Sequence, residues 1–283
     1  MNAEATEYTP NTGEERMDRT EALGELMARP APARPTAVRS VALLGGRALS
    51  HLRREPVQLI DVTIFPVLMM VMFTYLLGGA ISGSTDTYLS FLLPGMMVMS
   101  VVLCTAAGGV RLNTDIERGV FDRLRTLVVW RPAPLVGSLA GDVVRYVLAA
   151  ASVLGAGLLL GYRPQGGVGG TVAAVALLVL FAVCLTWVWL LVGLVARSAS
   201  SVTAASTLLF PLAFLGDVFV PARTLPDWLR VVVEVNPVAH LARAVRDLMA
   251  GTGVTSSVVW TLVCALVLVV VFVPWTLAVY RRR

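Results

Sequence analysis

Apolar residues in this chain are gathered into long blocks, separated by short stretches rich in Gly, Ser, Pro and Asp. Six blocks, at about 57–79, 88–110, 135–161, 171–196, 201–220 and 258–280, are each long enough to cross a hydrocarbon layer of about 30 Å at about 1.5 Å per residue. A buried helix of a soluble core needs only about 10 to 14 apolar residues. The pattern therefore predicts an all-α membrane protein with six transmembrane helices. Ser82-Gly83-Ser84 and Arg163-Pro164-Gln165-Gly166-Gly167 have the composition of turns between them.

The chain ahead of the first block divides in two. Residues 1–35 hold seven acidic side chains, four arginines and four prolines with few large apolar groups. Such a segment buries too little surface to offset its ordering entropy, which predicts a disordered tail. It lacks the basic start and apolar core of a secretory signal, so the tail is expected to stay in the cytoplasm. In 36–54, Val38, Val41, Leu44, Ala48, Leu49 and Leu52 share one side of a helical wheel, opposite Arg39, Arg47, Arg53 and Arg54. This predicts an interfacial amphipathic helix over about 36–56, its arginines towards lipid head groups, with Gly45-Gly46 and Leu43 as irregularities. An amphipathic helix packed on a soluble partner has the same pattern. The membrane region is then 57–283.

Composition sharpens the class. Of the 283 residues, 57% are hydrophobic and only 14% charged, and the mean hydropathy is +0.77. All 23 basic residues are arginine, which excludes a phosphate-binding loop of the G-x-x-x-x-G-K-[ST] type, since that loop needs its lysine. Cys104, Cys184 and Cys264 are widely spaced within apolar blocks, and only His51 and His240 supply imidazoles, so no disulfide framework, metal cluster or histidine relay is expected. With both termini on one side, seventeen arginines fall on that side and five on the other, and Arg145 lies within a block. By the positive-inside rule both termini are cytoplasmic. Asp61, Asp142, Arg145 and Asp217 fall inside blocks and are functional candidates on grounds of cost alone. Asp61 and Asp217 each lie about one turn from a block end. Asp142 and Arg145, three residues apart, can neutralise each other on one helix face.

Two polar segments carry further pattern. In the longest cytoplasmic loop, 111–133, Thr114 and Glu117 have the spacing of a capping box and predict a short helix starting there. Ile116, Val120, Leu124 and Leu127 form its apolar stripe, away from Glu117, Arg118, Asp122 and Arg125. On the other side, Asn236 suits an N-cap, Pro237 a first helical position and Gly251 a stop, while Trp228 is a residue type of the membrane boundary. Two short helices dipping into the outer leaflet are expected.

The chain resembles the membrane subunits of type-2 ABC exporters, and among them the daunorubicin-resistance-like drug permeases, over about 38–280. The resemblance is carried by Arg54-Glu55-Pro56, Phe65-Pro66, Phe91-Leu92-Leu93-Pro94-Gly95, Asp115-Ile116-Glu117-Arg118-Gly119 with Leu124-Arg125, and Leu225-Pro226-Asp227-Trp228-Leu229 with Asn236-Pro237-Val238, in that order around six spans. It implies export driven by ATP that a separate cytoplasmic subunit hydrolyses, so that ATP and Mg belong to the partner and this chain is not an enzyme. It implies a coupling helix at Asp115, Glu117, Arg118, Gly119, Leu124 and Arg125, docked on the ATPase and braced by the interfacial helix. It also implies two ATPase copies, a second permease copy or close paralogue, a bacterial plasma membrane, and a substrate path along the second and fifth spans. Nucleic acid is not an expected partner.

On a helical fifth span, Thr203, Thr207, Phe210 and Phe214 share one face, two hydroxyls and two rings suited to an amphiphilic aromatic drug. Met96, Met99 and Leu103 form a comparable stripe on the second span, where methionine adapts to varied ligands. Ordinary helix packing also produces both stripes. Export of a hydrophobic antibiotic or similar small amphiphile is the leading expectation. Export of a lipid-linked glycan, proton-coupled transport through Asp61, Asp142 or Asp217, and a non-transporting scaffold are the alternatives.

Overall fold

The computed structural model describes residues 56–119, 133–214, 218–219 and 226–282. The tail 1–35, the amphipathic segment 36–54 and the loop positions Leu124 and Arg125 lie outside the described residues. Within them the protein is all helical: α1 (Pro56–Ser82), α2 (Thr85–Glu117), α3 (Ala133–Leu159), α4 (Gly167–Val195), α5 (Ala199–Ser206), α6 (Leu209–Phe214), α7 (Asp227–Val235), α8 (Pro237–Ala250) and α9 (Ser256–Arg282). Five of these, α1 to α4 and α9, are long and apolar enough to cross a membrane.

Local chemistry accounts for the boundaries. Ser84 caps α2, its hydroxyl accepting from the Thr87 amide at 3.2 Å. Asn236 caps α8 by accepting from the Val238 amide at 2.9 Å, Pro237 follows at the first turn, and Gly251 ends the helix in the left-handed conformation at φ 80°. α2 has 33 residues, about 50 Å of helix, so it overruns a hydrocarbon layer of about 30 Å by several turns.

α2 is the axis of the fold, buried along most of its length against α1, α3, α4, α5 and α8. Tyr88, Leu92, Leu93, Met96 and Met97 on α2 meet Tyr146 of α3 and Leu178 and Phe181 of α4 in the main core. α9 packs on α4 and α8 but leaves Trp260, Leu266, Val270 and Trp275 exposed. In a membrane protein such a surface is suited to lipid.

Candidate functional site

A cavity of about 60 Å³ opens where α1, α2 and α6 converge. Phe65, Pro66, Met69 and Phe73 line it from α1, Met96, Met99, Ser100 and Leu103 from α2, and Phe210 and Phe214 from α6, with Phe219 closing it. Phe214 stacks on Phe219 with ring centroids 4.8 Å apart and planes 20° apart, and Phe219 meets Phe73 at 4.8 Å and 59°. Tyr88 holds this aromatic run by donating its hydroxyl to the Phe219 carbonyl at 3.2 Å. The walls are almost wholly apolar, because the Ser100 hydroxyl is spent on the Met97 carbonyl at 2.9 Å. A cavity of about 150 Å³ accepts benzene, so the walls must part before a drug-sized molecule fits.

The sequence stripes reach this cavity unequally. Met96, Met99, Leu103, Phe210 and Phe214 all line it, whereas Thr203 and Thr207 are exposed and take no part. The reason is a correction to the expected fifth span. Residues 201–220 do not form one helix, since α5 ends at Ser206 and α6 begins at Leu209. Pro211 has no N–H to give the Thr207 carbonyl and its ring crowds that oxygen, which disfavours a regular helix between 207 and 210, although α1, α2 and α9 each carry a proline without breaking. The Phe210 amide takes the Thr207 carbonyl at 3.1 Å in a tight turn. The hydroxyls of Thr203, Ser206 and Thr207 bond back to carbonyls within α5, which weakens it further.

Two features fasten α2 to its neighbours. Asp142 of α3 is 1% exposed and forms an ion pair with Arg111 of α2. The sequence placed Asp142 beside Arg145 on one helix; its ion pair with Arg111 adds a tie between two helices. One oxygen of Asp142 and one nitrogen of Arg111 remain buried without a hydrogen bond. Beside this pair α2 and α4 meet backbone to backbone. A Cβ on Gly109 would stand 2.3 Å from the Trp189 carbonyl oxygen, and one on Gly193 would stand 2.4 Å from the Gly109 oxygen. Only glycine permits that approach, the usual role of small residues between membrane helices.

The far end of α2 also differs from expectation. No helix starts at Thr114; α2 runs on through it to Glu117, and the Thr114 hydroxyl bonds back to the Val110 carbonyl at 2.9 Å instead of capping. The helix ends at Glu117, and Gly119 just beyond it takes φ 65° and donates its amide to the Ile116 carbonyl at 3.0 Å. Asp115, Glu117 and Arg118 lie on the exposed side of this end. Glu117 accepts a hydrogen bond from the Ala199 amide at 3.3 Å.

At the other end of the bundle, α7 and α8 occupy the segment expected to hold two short helices. Trp228 is 70% exposed, and the Asn236 amide donates to the Leu212 carbonyl at 2.7 Å, joining this pair to α6. Arg246 of α8 lies 4.2 Å from the centre of the Phe91 ring.

Sequence patterning missed Phe65, Met69 and Phe73, although their four-residue spacing is the same signal that marked the α2 stripe. It also missed Asn113, which is 2% exposed and donates to the carbonyls of Gly193 and Ala196 at 2.9 and 3.0 Å. A polar residue in a buried stripe was the available signal.

Comparison with known proteins agrees with this architecture. Residues 39–250 match the family model of the ABC-2 type transporter. The chain is 44% identical over 259 residues to a daunorubicin resistance ABC transporter permease of Streptomyces coeruleorubidus, covering 91% of this chain and 92% of that one. It is 24% identical to a probable doxorubicin resistance ABC transporter permease of Mycobacterium tuberculosis, covering 83% of this chain and 86% of the relative. An inner membrane transport permease of Escherichia coli is 25% identical over 64% of this chain and 72% of its own length. A bundle of apolar helices, matched over most of its length by permeases, belongs to the ABC-2 type transporter family as a multi-pass membrane permease subunit.

Proposed function

We propose that this permease exports a hydrophobic, largely planar small molecule, such as an aromatic antibiotic, across a bacterial plasma membrane, using ATP hydrolysed with Mg by a separate subunit. The observation that carries this is the aromatic and methionine-lined cavity between α1, α2 and α6, which offers stacking faces and adaptable thioethers and almost no polar group. The drug names of two relatives point to the same substrate class. In this proposal six spans place both termini in the cytoplasm, the sixth being the broken segment α5–α6 with the residues that follow. Two permease copies, identical or paralogous, pair with two ATPases that dock on the segment from Asp115 to Arg125. α7 and α8, with Trp228, Asn236 and Pro237, sit in the outer leaflet.

An apolar cavity gives little purchase on a lipid-linked glycan. Proton coupling through Asp142 is disfavoured because Arg111 already pairs with that carboxylate. The test is uptake of daunorubicin into inside-out vesicles with and without the ATPase subunit. Uptake that needs both ATP and the ATPase supports the proposal. Uptake driven by an imposed proton gradient without ATP overturns it.

A further inference from the structure

Asn113 and Glu117 stand one turn apart on the same face of α2, and both reach the connection between α4 and α5. A helix leaves carbonyls unsatisfied at its end and amides unsatisfied at its start. The Asn113 amide donates to the Gly193 and Ala196 carbonyls where α4 stops, and the Glu117 carboxylate accepts from the Ala199 amide where α5 starts. Ser198 contributes the ordinary cap of α5, accepting from the Ser201 amide at 3.2 Å. One side chain thus binds the negative end of a helix and the next binds the positive end of another, each with the sign that the helix dipole favours.

We infer that Asn113 and Glu117 act as a clamp on the α4–α5 elbow, Asn113 anchoring the end of α4 to α2 and Glu117 passing movement of the end of α2 to α5 and so to the cavity wall formed by α6. The inference rests on the proposed transport function. Glu117 is the last residue of α2, next to the loop proposed to meet the ATPase, while Phe210 and Phe214 lie one short turn beyond α5. Asn113 is buried in the packed seam; Glu117 is exposed and holds a longer bond, so the moving half of the clamp is Glu117. Its carboxylate accepts from this chain's own Ala199 amide, so within the proposed docking segment Glu117 is the residue that positions α5.

The test uses the full permease co-purified with its ATPase and reconstituted in lipid vesicles, comparing Glu117→Ala and Glu117→Gln. Glutamine keeps an oxygen able to accept from the Ala199 amide but has no charge. Two readouts are taken: daunorubicin transported per ATP hydrolysed, and labelling by a polar thiol reagent of Phe214→Cys, in a background without native cysteines, with and without nucleotide. Glu117→Ala should lower transport per ATP about 2- to 10-fold, the size of one net hydrogen bond, and flatten the nucleotide dependence of labelling. Expression should hold, and Glu117→Gln should restore most of both readouts. If Glu117→Gln is as impaired as Glu117→Ala, the charge itself acts on a partner and the clamp is wrong. If Glu117→Ala retains both readouts while the parent protein shows them, the clamp alone falls. If the parent protein shows neither uptake nor nucleotide-dependent labelling, the transport proposal falls and the clamp with it.

Discussion

The seam between α2 and α4 and the broken segment α5–α6 are built on opposite principles. At the seam, glycines let two backbones touch, a buried asparagine ties off a helix end, and the neighbouring ion pair of Arg111 and Asp142 fastens α3 to the same helix. In α5–α6 the helix is split into pieces of eight and six residues, the hydroxyls bond to their own backbone, and half-exposed rings border a cavity. Packed interiors resist small changes of volume, whereas short helices with few buried contacts open at low cost. In the proposed transport cycle the seam serves as the frame and α5–α6 as the wall that moves against it. A transporter needs both, since a cavity of about 60 Å³ must enlarge while its surroundings keep their register.

The largest expected effect falls on the frame. Arg111→Ala removes the Arg111 partner of the buried Asp142 carboxylate, and breaking a buried pair from one side costs about 3–5 kcal/mol. It should appear as a large loss of thermal stability in detergent. Removing both charges, with Arg111→Met and Asp142→Leu, should recover most of it; equal damage in the double variant would show that the charge is not the cause.

Next comes Gly109→Ala, which drives a methyl against the Trp189 backbone and should cost towards the upper end of about 1–3 kcal/mol. Gly155→Ala on α3 is the control, because a Cβ there meets nothing within 4 Å. It should leave stability equal or raise it by up to about 1 kcal/mol through helix propensity. Equal losses at 109 and 155 would dissolve the distinction between seam and surface.

On the moving wall, Phe214→Ala should spare stability and alter function. A ring buries about 150–250 Å² of its own surface, so its removal should weaken drug binding by about 1–3 kcal/mol, or roughly 5- to 150-fold. Binding titrations with daunorubicin, read alongside melting temperature, separate the two outcomes. A fall in melting temperature with unchanged affinity would make Phe214 a packing residue. The smallest effect is expected at Leu208, which is 75% exposed at the break: Leu208→Ala should change neither stability nor substrate profile. A strong transport defect there would mean that the turn itself is part of the substrate path.

The legibility of these two regions differed for a physical reason. Five of the six predicted blocks appear as helices because length and hydropathy are properties of a segment by itself. The Met96, Met99 and Leu103 stripe was visible because helical periodicity places those side chains on one face before any partner is known. The continuous face drawn through Thr203, Thr207, Phe210 and Phe214 failed at residues 207–208, a break that periodicity ignores and that Pro211 alone did not announce, since Pro66, Pro94 and Pro274 lie in unbroken helices. Thr114 likewise matched a capping pattern, yet it lies inside α2, where its hydroxyl bonds back to Val110.

The sequence by itself determined the membrane class, the helical content, the exclusion of a lysine-bearing phosphate loop and the caps of α8, because each depends on residues adjacent in the chain. Tertiary structure decided that Asp142 meets Arg111, that Gly109 touches α4, that Asn113 and Glu117 grip the α4–α5 elbow, and that Phe65, Met96 and Phe214 share one cavity. Those outcomes depend on which faces of which helices come together. A glycine or an arginine has no periodic signature to announce its neighbour, so only the packed bundle assigns it one.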